Sequence, residues 1–182
     1  MRERQTRVRD VVVVGAGPAG AATAILLAER GLAVTVLERS RAPRQALCGE
    51  YLSPEGARVL DRLGVLKTVD ADAAPLAGMR ITAPDGTTLT GAYHPVGGRR
   101  PYRDYALGVP RAALDAALRE RLRALPVDFC EGVRVVDILR EGQAAVGVAA
   151  IDPQGGTFGV RARLTVRDRQ VSLRILESAV SG

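Results

Sequence analysis

The apolar positions at the start of this chain follow a strand pattern, then a helix pattern, then a strand pattern again. Val11–Val14 form an unbroken apolar run, which is typical of a parallel strand buried on both faces. Apolar residues then recur at helical spacing through Ala21–Ala28, with Pro18 in the first turn and Gly31 as the C-terminal cap. A second apolar run, Ala33–Leu37, predicts a second parallel strand.

Two further helices are predicted from caps and leucine spacing. Ser53 as N-cap and Pro54 as the first helical residue begin one helix, which Gly64 breaks. The other covers Pro110–Leu125. The apolar faces consist of leucines at helical spacing, namely Leu60, Leu63 and Leu66 in the first helix and Leu114, Leu118 and Leu122 in the second.

Most of the remaining chain is predicted to be antiparallel β structure. Alternation through Gly78–Thr82, the turn Pro84–Gly86 and the continuation Thr87–Thr90 predict a hairpin. Further strands are predicted over residues 127–130, 132–139, 144–151 and 157–166. An NAD-dependent dehydrogenase would continue with strand–helix units instead, so the pattern disfavours that class.

The composition mainly excludes classes of protein and of partner. The 182 residues suggest one domain or slightly more, and 47% hydrophobic content suffices for a core. The net charge of +6 comes almost entirely from arginines scattered along the chain, since Lys67 is the only lysine. Because only 3% of residues are aromatic, we expect a solvated basic surface and no nucleic-acid partner.

Cys48 and Cys130 are far apart and have no metal-ligand spacing. We therefore expect neither a disulfide scaffold nor a metal site, and a reducing cytoplasm as the compartment. The only histidine, His94, is expected to be incidental. The charged segment Met1–Asp10 lacks the apolar core of a secretory signal, and no apolar run approaches the roughly 18–20 residues of a membrane span.

The candidate chemistry lies where the first strand meets the first helix, in a Gly-x-Gly-x-x-Gly sequence. Gly15 permits a tight turn, Gly17 lets a phosphate approach the backbone, and Gly20 lets the helix pack closely. The helix N-terminus offers N–H groups to a pyrophosphate. Glu38 ends the second strand, where its carboxylate can accept hydrogen bonds from a ribose diol and would repel the 2′-phosphate of NADP.

These motifs and two others resemble a known family. Val12–Gly20 with Leu37–Arg39 resembles the FAD site of glutathione-reductase-type flavoproteins. Cys48–Glu55 is similar to a loop and helix of the geranylgeranyl-reductase-like branch, and Gly108–Asp115 to a helix start of the aromatic hydroxylases. Together, over roughly residues 10 to 165, the chain resembles an FAD-dependent oxidoreductase of the p-hydroxybenzoate-hydroxylase superfamily.

The resemblance implies an α/β fold: a three-layer, Rossmann-like FAD-binding parallel sheet with helices, an antiparallel β crossover and the start of a β-rich substrate region. The resemblance also implies a division into domains. These are a flexible lead-in over residues 1–9, an FAD-binding domain over 10–75 and 106–166, an insertion of the substrate-domain sheet over 76–105 and a non-family tail over 167–182.

The resemblance also implies which residues hold FAD. The pyrophosphate would contact the turn, Glu38 would bind the ribose, Arg39 would flank the adenosine, and Val135 would contact adenine through its backbone. Arg111 would reach the phosphate or ribityl region, although an exposed arginine near a helix end is common. The implied set is Gly15, Ala16, Gly17, Pro18, Ala19, Gly20, Glu38, Arg39, Arg44, Cys48, Gly49, Arg111 and Val135. Cys48 is open to a second interpretation as a small buried hydrophobe.

The sequence departs from the family after residue 165. The family's second FAD motif resembles Gly-Ala-Asp-Gly, whereas Asp168 here lacks flanking glycines. We expect that the C-terminal half of the family fold is missing, and favour a truncated or frame-shifted product over a short form that has lost catalysis. Weak FAD retention and a tendency to aggregate are expected to follow.

The functional expectation is an FAD-dependent oxidoreductase, of the monooxygenase or double-bond-reductase type, acting on a small organic or secondary-metabolite substrate. NAD(P)H is the expected reductant. The alternative is a non-catalytic dinucleotide-binding fragment. No catalytic acid or base is assigned from the sequence.

Overall fold

The computed structural model describes residues 2–3, 8–42, 50–93, 95, 98 and 100–167. The chain divides into two compact units, the first formed by Met1–Ala42 with Leu118–Gly182 and the second by Pro43–Ala117. In chain order the elements are β1 (Arg2–Glu3), β2 (Arg9–Val14), α1 (Pro18–Ala28), β3 (Val34–Glu38), β4 (Tyr51–Leu52), α2 (Pro54–Arg62), α3 (Leu66–Asp70), β5 (Ala74–Leu76), β6 (Gly78–Thr82), β7 (Thr88–Ala92), β8 (Ala106–Gly108), α4 (Arg111–Arg123), β9 (Asp128–Glu131), β10 (Arg134–Glu141), β11 (Ala144–Ile151) and β12 (Thr157–Arg167).

A parallel sheet forms the centre of the first unit. Its strand order is β12-β2-β3-β9, and all three pairings are parallel. The valines of β2 and β3 are fully or almost fully buried, as expected for strands covered on both faces. The predicted strand–helix–strand order is confirmed, and β2, α1 and β3 begin within about two residues of the predicted positions.

The long strand β12 joins the parallel sheet to an antiparallel one. Its first half, Thr157–Arg161, pairs antiparallel with β11, which in turn pairs antiparallel with β10. Its second half, Ala162–Arg167, pairs parallel with β2. The expected α/β class, with a Rossmann-like parallel sheet and an antiparallel β addition, is therefore confirmed. Buried residues of β2, β3, β11 and β12 share one hydrophobic cluster with Val133.

The second unit contains two short helices, a small sheet and a hairpin. Ser53 caps α2 as predicted, because its hydroxyl accepts a hydrogen bond from the Gly56 N–H at 3.1 Å. Gly64, with φ of +74°, separates α2 from α3, so the predicted helix breaks there and Leu66 begins a new one. The antiparallel sheet β4-β8-β5 was not predicted, because strands of two or three residues are too short to show alternation.

The predicted hairpin is present as β6 and β7, which pair only with each other among the described strands. Every residue of both strands is exposed. Ile81 lies directly opposite Leu89, and Met79 is two residues along the same face. The hairpin therefore has one apolar and one largely polar face. Within the described part of the chain, no helix is long and apolar enough to cross a membrane.

Candidate functional site

The glycine turn leaves β2 and enters α1 within three residues. Gly15 has a φ of +100°, a conformation that residues with a side chain rarely adopt. Its N–H donates to the Leu37 carbonyl at 2.9 Å, so the turn is fastened to the neighbouring strand β3. The local backbone therefore requires glycine at this position, independent of any ligand.

Gly20 brings the first turn of α1 against the glycine turn. A Cβ atom at this position would lie 2.2 Å from the Gly15 carbonyl oxygen, well inside van der Waals contact. The atom that a Cβ would meet belongs to the backbone, which cannot move aside as the end of a flexible side chain can. Gly20 thus sets the distance between the helix N-terminus and the strand, as the motif predicts.

The N-terminus of α1 is suited to an anion. Gly17 is the N-cap and Pro18 begins the helix; no side chain in the described part of the chain caps it, and its first turn contains no acidic residue. The first intrahelical bond at this end runs from the Ala21 N–H to the Gly17 carbonyl at 2.8 Å. The N–H groups of Gly17, Ala19 and Gly20 precede it and have no acceptor within the helix. Together they form the positive end of the helix dipole.

Glu38 lies beside this turn with its carboxylate nearly buried. The residue is 5% exposed and is the last of β3. Its Oε2 accepts a hydrogen bond from the Ala16 N–H and its Oε1 accepts one from the Ser40 N–H, each at 2.7 Å. The Ala16 N–H therefore points at a carboxylate, a contact that the motif did not predict. A carboxylate has about four lone-pair sites, so it can accept more than two hydrogen bonds.

The connection between β9 and β10 reaches the end of β3. The Val133 N–H donates to the Glu38 carbonyl at 2.9 Å, after Gly132 has taken a φ of +76°. Val135 is half-buried on β10 and packs against the cluster that contains Val12, Val14 and Leu37. The structure thus places Val133 in contact with Glu38, and Val135 near the same end of the sheet core.

A buried arginine on α4 contacts the segment after Glu38. Arg119 is 4% exposed, and its Nη1 donates to the Ser40 carbonyl at 3.2 Å and to Glu131 Oε1 at 2.7 Å. Arg123 donates to the other oxygen of Glu131 at 2.6 Å. Sequence reasoning missed Arg119; the only available signal was a charged residue next to Leu118 on the apolar side of the helix.

The remaining residues predicted to bind FAD either have no described contact with Glu38 or Ala16, or lie outside the described residues. Arg39 is exposed directly after Glu38. Arg111 belongs to the second unit, where it begins α4 and forms an ion pair with Asp115 at 3.2 Å. Several residues considered from the sequence lie outside the described residues, namely Arg44, Cys48, Gly49, His94 and Asp168.

The second unit has its own open cleft, of about 430 Å³. Its lining includes the aromatic rings of Tyr93, Tyr102 and Tyr105 together with the arginines Arg100 and Arg103. The guanidinium of Arg103 lies 5.3 Å from the centre of the Tyr105 ring. The Asp70 carboxylate, whose oxygens accept from Arg103 at 2.6 and 2.8 Å, raises the pKa of that guanidinium further above its ordinary value.

The first unit fits the adenosine diphosphate part of a dinucleotide such as FAD. A Cβ at Gly20 would collide with the turn, so the turn and helix end can form a close cradle for phosphate. The buried acid Glu38 ends β3 at the position where a ribose binds in such folds. Ala16 and Pro18 do not add donors to the cradle, since one N–H is engaged by Glu38 and the other does not exist.

Comparison with known families shows which family has this glycine turn and buried acid. Residues 8–167 match the family described as FAD binding domain. The chain belongs to this family. Several of its relatives are named as monooxygenases and others as reductases of geranylgeranyl lipids or quinones, so the resemblance predicted from the three motifs is confirmed.

Individual relatives of this FAD binding domain are considerably longer. 6-Methylpretetramide 4-monooxygenase of Streptomyces rimosus is 37% identical over 156 residues, which cover 85% of this chain and 36% of that protein. Menaquinone reductase of Mycolicibacterium smegmatis is 33% identical over 164 residues, covering 87% and 37%. The structure of the myxobacterial chondrochloren halogenase CndH superposes with a TM-score of 0.80 at 30% identity, covering 94% and 39%. The chain spans 36% to 39% of the lengths of these proteins.

Proposed function

We propose that this chain holds FAD for the oxidation or reduction of a small organic molecule. The observation that carries the proposal is the buried Glu38 carboxylate, hydrogen-bonded to Ala16 of the glycine turn beside a helix N-terminus that no described side chain caps. A ribose diol can donate hydrogen bonds to a carboxylate, whereas a 2′-phosphate would place a second negative charge against it.

The roles of individual residues follow from this placement and from the resemblance. Gly15–Gly20 form the pyrophosphate cradle, in which Gly17, Ala19 and Gly20 donate, while Pro18 and Gly15 shape the turn. Glu38 binds the ribose, exposed Arg39 covers the adenosine, and the Val135 backbone contacts adenine. Four further residues are assigned to FAD binding from the family resemblance alone, namely Arg111, Arg44, Cys48 and Gly49.

When bound, FAD supplies the electron-transfer chemistry, and the protein supplies binding and orientation. The relatives named as monooxygenases and reductases support either oxygen insertion or double-bond reduction as the reaction. The name of the Streptomyces rimosus relative supports a secondary-metabolite substrate. NAD(P)H as the reductant and a cytoplasmic location belong to the same proposal; the location rests on the two widely separated cysteines.

Titration calorimetry with FAD, ADP and 2′-phospho-ADP tests the cofactor half of this proposal. FAD and ADP should bind, and 2′-phospho-ADP should bind at least about tenfold more weakly because of the charge of Glu38. Equal binding of 2′-phospho-ADP would contradict the role of Glu38.

Oxidation of NADPH in the presence of FAD tests the catalytic half. Flavin-dependent consumption of NADPH supports an oxidoreductase. FAD binding without any consumption supports the alternative, a dinucleotide-binding module without catalysis.

A further inference from the structure

Arg119 occupies an unusual position for a charged residue. It is only 4% exposed, although it lies on α4 far from the glycine turn in sequence. Burial of a guanidinium is unfavourable unless its donors are satisfied and its charge is paired. Glu131 provides the paired charge at 2.7 Å, and the Ser40 carbonyl provides a second acceptor for the same Nη1, whereas the buried Nε has no partner among the described residues.

These contacts continue without interruption to the candidate ribose site. Ser40 accepts from Arg119 through its carbonyl and donates its N–H to Glu38 Oε1 at 2.7 Å. The second oxygen of Glu38 accepts from the Ala16 N–H of the glycine turn at 2.7 Å. A hydrogen-bonded series therefore runs from Glu131 through Arg119, Ser40 and Glu38 to Ala16.

The series constrains the Glu38 carboxylate at both oxygens. Two main-chain donors, one at each oxygen, fix the rotation of the carboxylate plane, but only while Ser40 itself stays in place. The Ser40 residue is held by Arg119 at its carbonyl and by its own hydroxyl, which donates to the Ala42 carbonyl at 2.6 Å. If the Arg119 contact is lost, the Ser40 N–H is free to turn away and the carboxylate can rotate.

We propose that Arg119, supported by Glu131, is a positioning residue that orients the Glu38 carboxylate toward the ribose hydroxyls of the cofactor. The inference rests on the proposed function, because it requires a ribose beside Glu38. It goes further in assigning specificity for that ribose to a residue on α4 that does not contact Glu38 directly. Arg119 acts only through Ser40.

The test compares Arg119→Met with Arg121→Met in the full chain. Arg121 lies on the same helix and also forms an ion pair, with Glu29 at 2.8 Å, so its substitution removes a guanidinium without touching Ser40. Glu131→Gln is the second variant in case Arg119→Met does not fold. Arg119→Lys is the conservative variant and should retain part of the contact with the Ser40 carbonyl.

Two readouts separate the positioning role from general stability. Without ligand, amide hydrogen exchange at Ser40 and Ala16 should speed up in Arg119→Met and in Glu131→Gln and stay unchanged in Arg121→Met. With ligand, wild type should bind ADP about tenfold more tightly than 2′-deoxy-ADP, since one hydrogen bond to a charged carboxylate is lost. That preference should fall to about twofold in Arg119→Met and Glu131→Gln, with Arg119→Lys in between and Arg121→Met like wild type.

The possible failures are distinguishable. Unchanged exchange at Ser40 and Ala16 in both variants would overturn the hydrogen-bonded series. Faster exchange with an unchanged preference for ADP would overturn the positioning role while leaving FAD binding intact. Failure of wild type to bind ADP or FAD would overturn the proposed function, and the assigned role of Arg119 with it.

Discussion

The glycine turn and the β6–β7 hairpin both contain several glycines, but the turn lies at a buried strand end and the hairpin strands are exposed. At the turn, the N–H groups of Gly15 and Ala16 are engaged by β3, and Gly20 packs against backbone. In the hairpin every strand residue is exposed. A Cβ at Gly78 would lie 2.3 Å from the Gly91 carbonyl oxygen, whereas Gly91 itself has open space where a side chain would stand. Neither glycine content nor close backbone approach therefore marks a site by itself; the hydrogen bonds to the buried end of β3 distinguish the glycine turn.

The largest difference between the two regions is expected from adding one methyl group to a glycine. Gly20→Ala should lower the free energy of unfolding by about 2–3 kcal/mol and abolish detectable FAD binding, because its Cβ meets the Gly15 carbonyl. Gly91→Ala is the matched control and should change neither quantity. Denaturant unfolding and FAD titration measure both. A Gly20→Ala variant with wild-type affinity would show that the helix does not need its close approach.

The next effect concerns the carboxylate beside the turn. In Glu38→Gln the amide nitrogen must face either the Ala16 or the Ser40 N–H, which places two donors together. We expect a loss of about 1–2 kcal/mol in unfolding free energy and roughly tenfold weaker FAD binding. Glu29→Gln, at a partly exposed ion pair, should cost less than about 1 kcal/mol and leave FAD binding unchanged. Equal effects of the two substitutions would contradict a special role for Glu38.

A matched pair of isoleucines measures the difference in packing. Ile25 on α1 is fully buried, whereas Ile81 on β6 is 55% exposed. Ile25→Val should cost about 1 kcal/mol in thermal or denaturant unfolding, and Ile81→Val no more than a few tenths. If Ile81→Val proves as costly as Ile25→Val, the apolar face of the hairpin is covered in solution.

The smallest expected effect is a titration in the second unit. Hydrogen bonds from Arg58, the larger cause, and from the Tyr102 N–H hold the pKa of Glu55 below its usual value. A depressed folded-state pKa stabilises the protein above the unfolded pKa, and this contribution is lost as the pH falls through the lower folded value. Carbon NMR titration of the Glu55 carboxyl should show its pKa moving upward in Arg58→Gln. An unchanged pKa would show that the pair does not form in solution.

Much of the site could be predicted because its determinants are local. The continuous valines of β2, the proline at the start of α1 and the spacing to Glu38 each encode one feature over a few residues. These features are read from periodicity and backbone restrictions, which do not depend on distant parts of the chain. The hairpin was predictable for the same reason.

The contacts that complete the site could not be predicted, because they join distant residues. Ala16 and Glu38 are 22 residues apart, and Arg119 and Ser40 are 79 residues apart. Both contacts depend on side-chain directions that exist only after β3, β9 and α4 have assembled. Periodicity also said nothing of β4, β5 and β8, whose two or three residues are ordered by tertiary pairing alone.

We propose that the first unit recognises the adenosine diphosphate part of FAD. Titration calorimetry of the purified chain should compare FAD with FMN, which lacks the adenosine and one of the two phosphates. The structure predicts that FAD binds, that ADP competes with it, and that FMN binds at least about a hundredfold more weakly because it reaches neither Glu38 nor the complete pyrophosphate cradle. Binding of FMN as tight as that of FAD, or the absence of any competition by ADP, would contradict it.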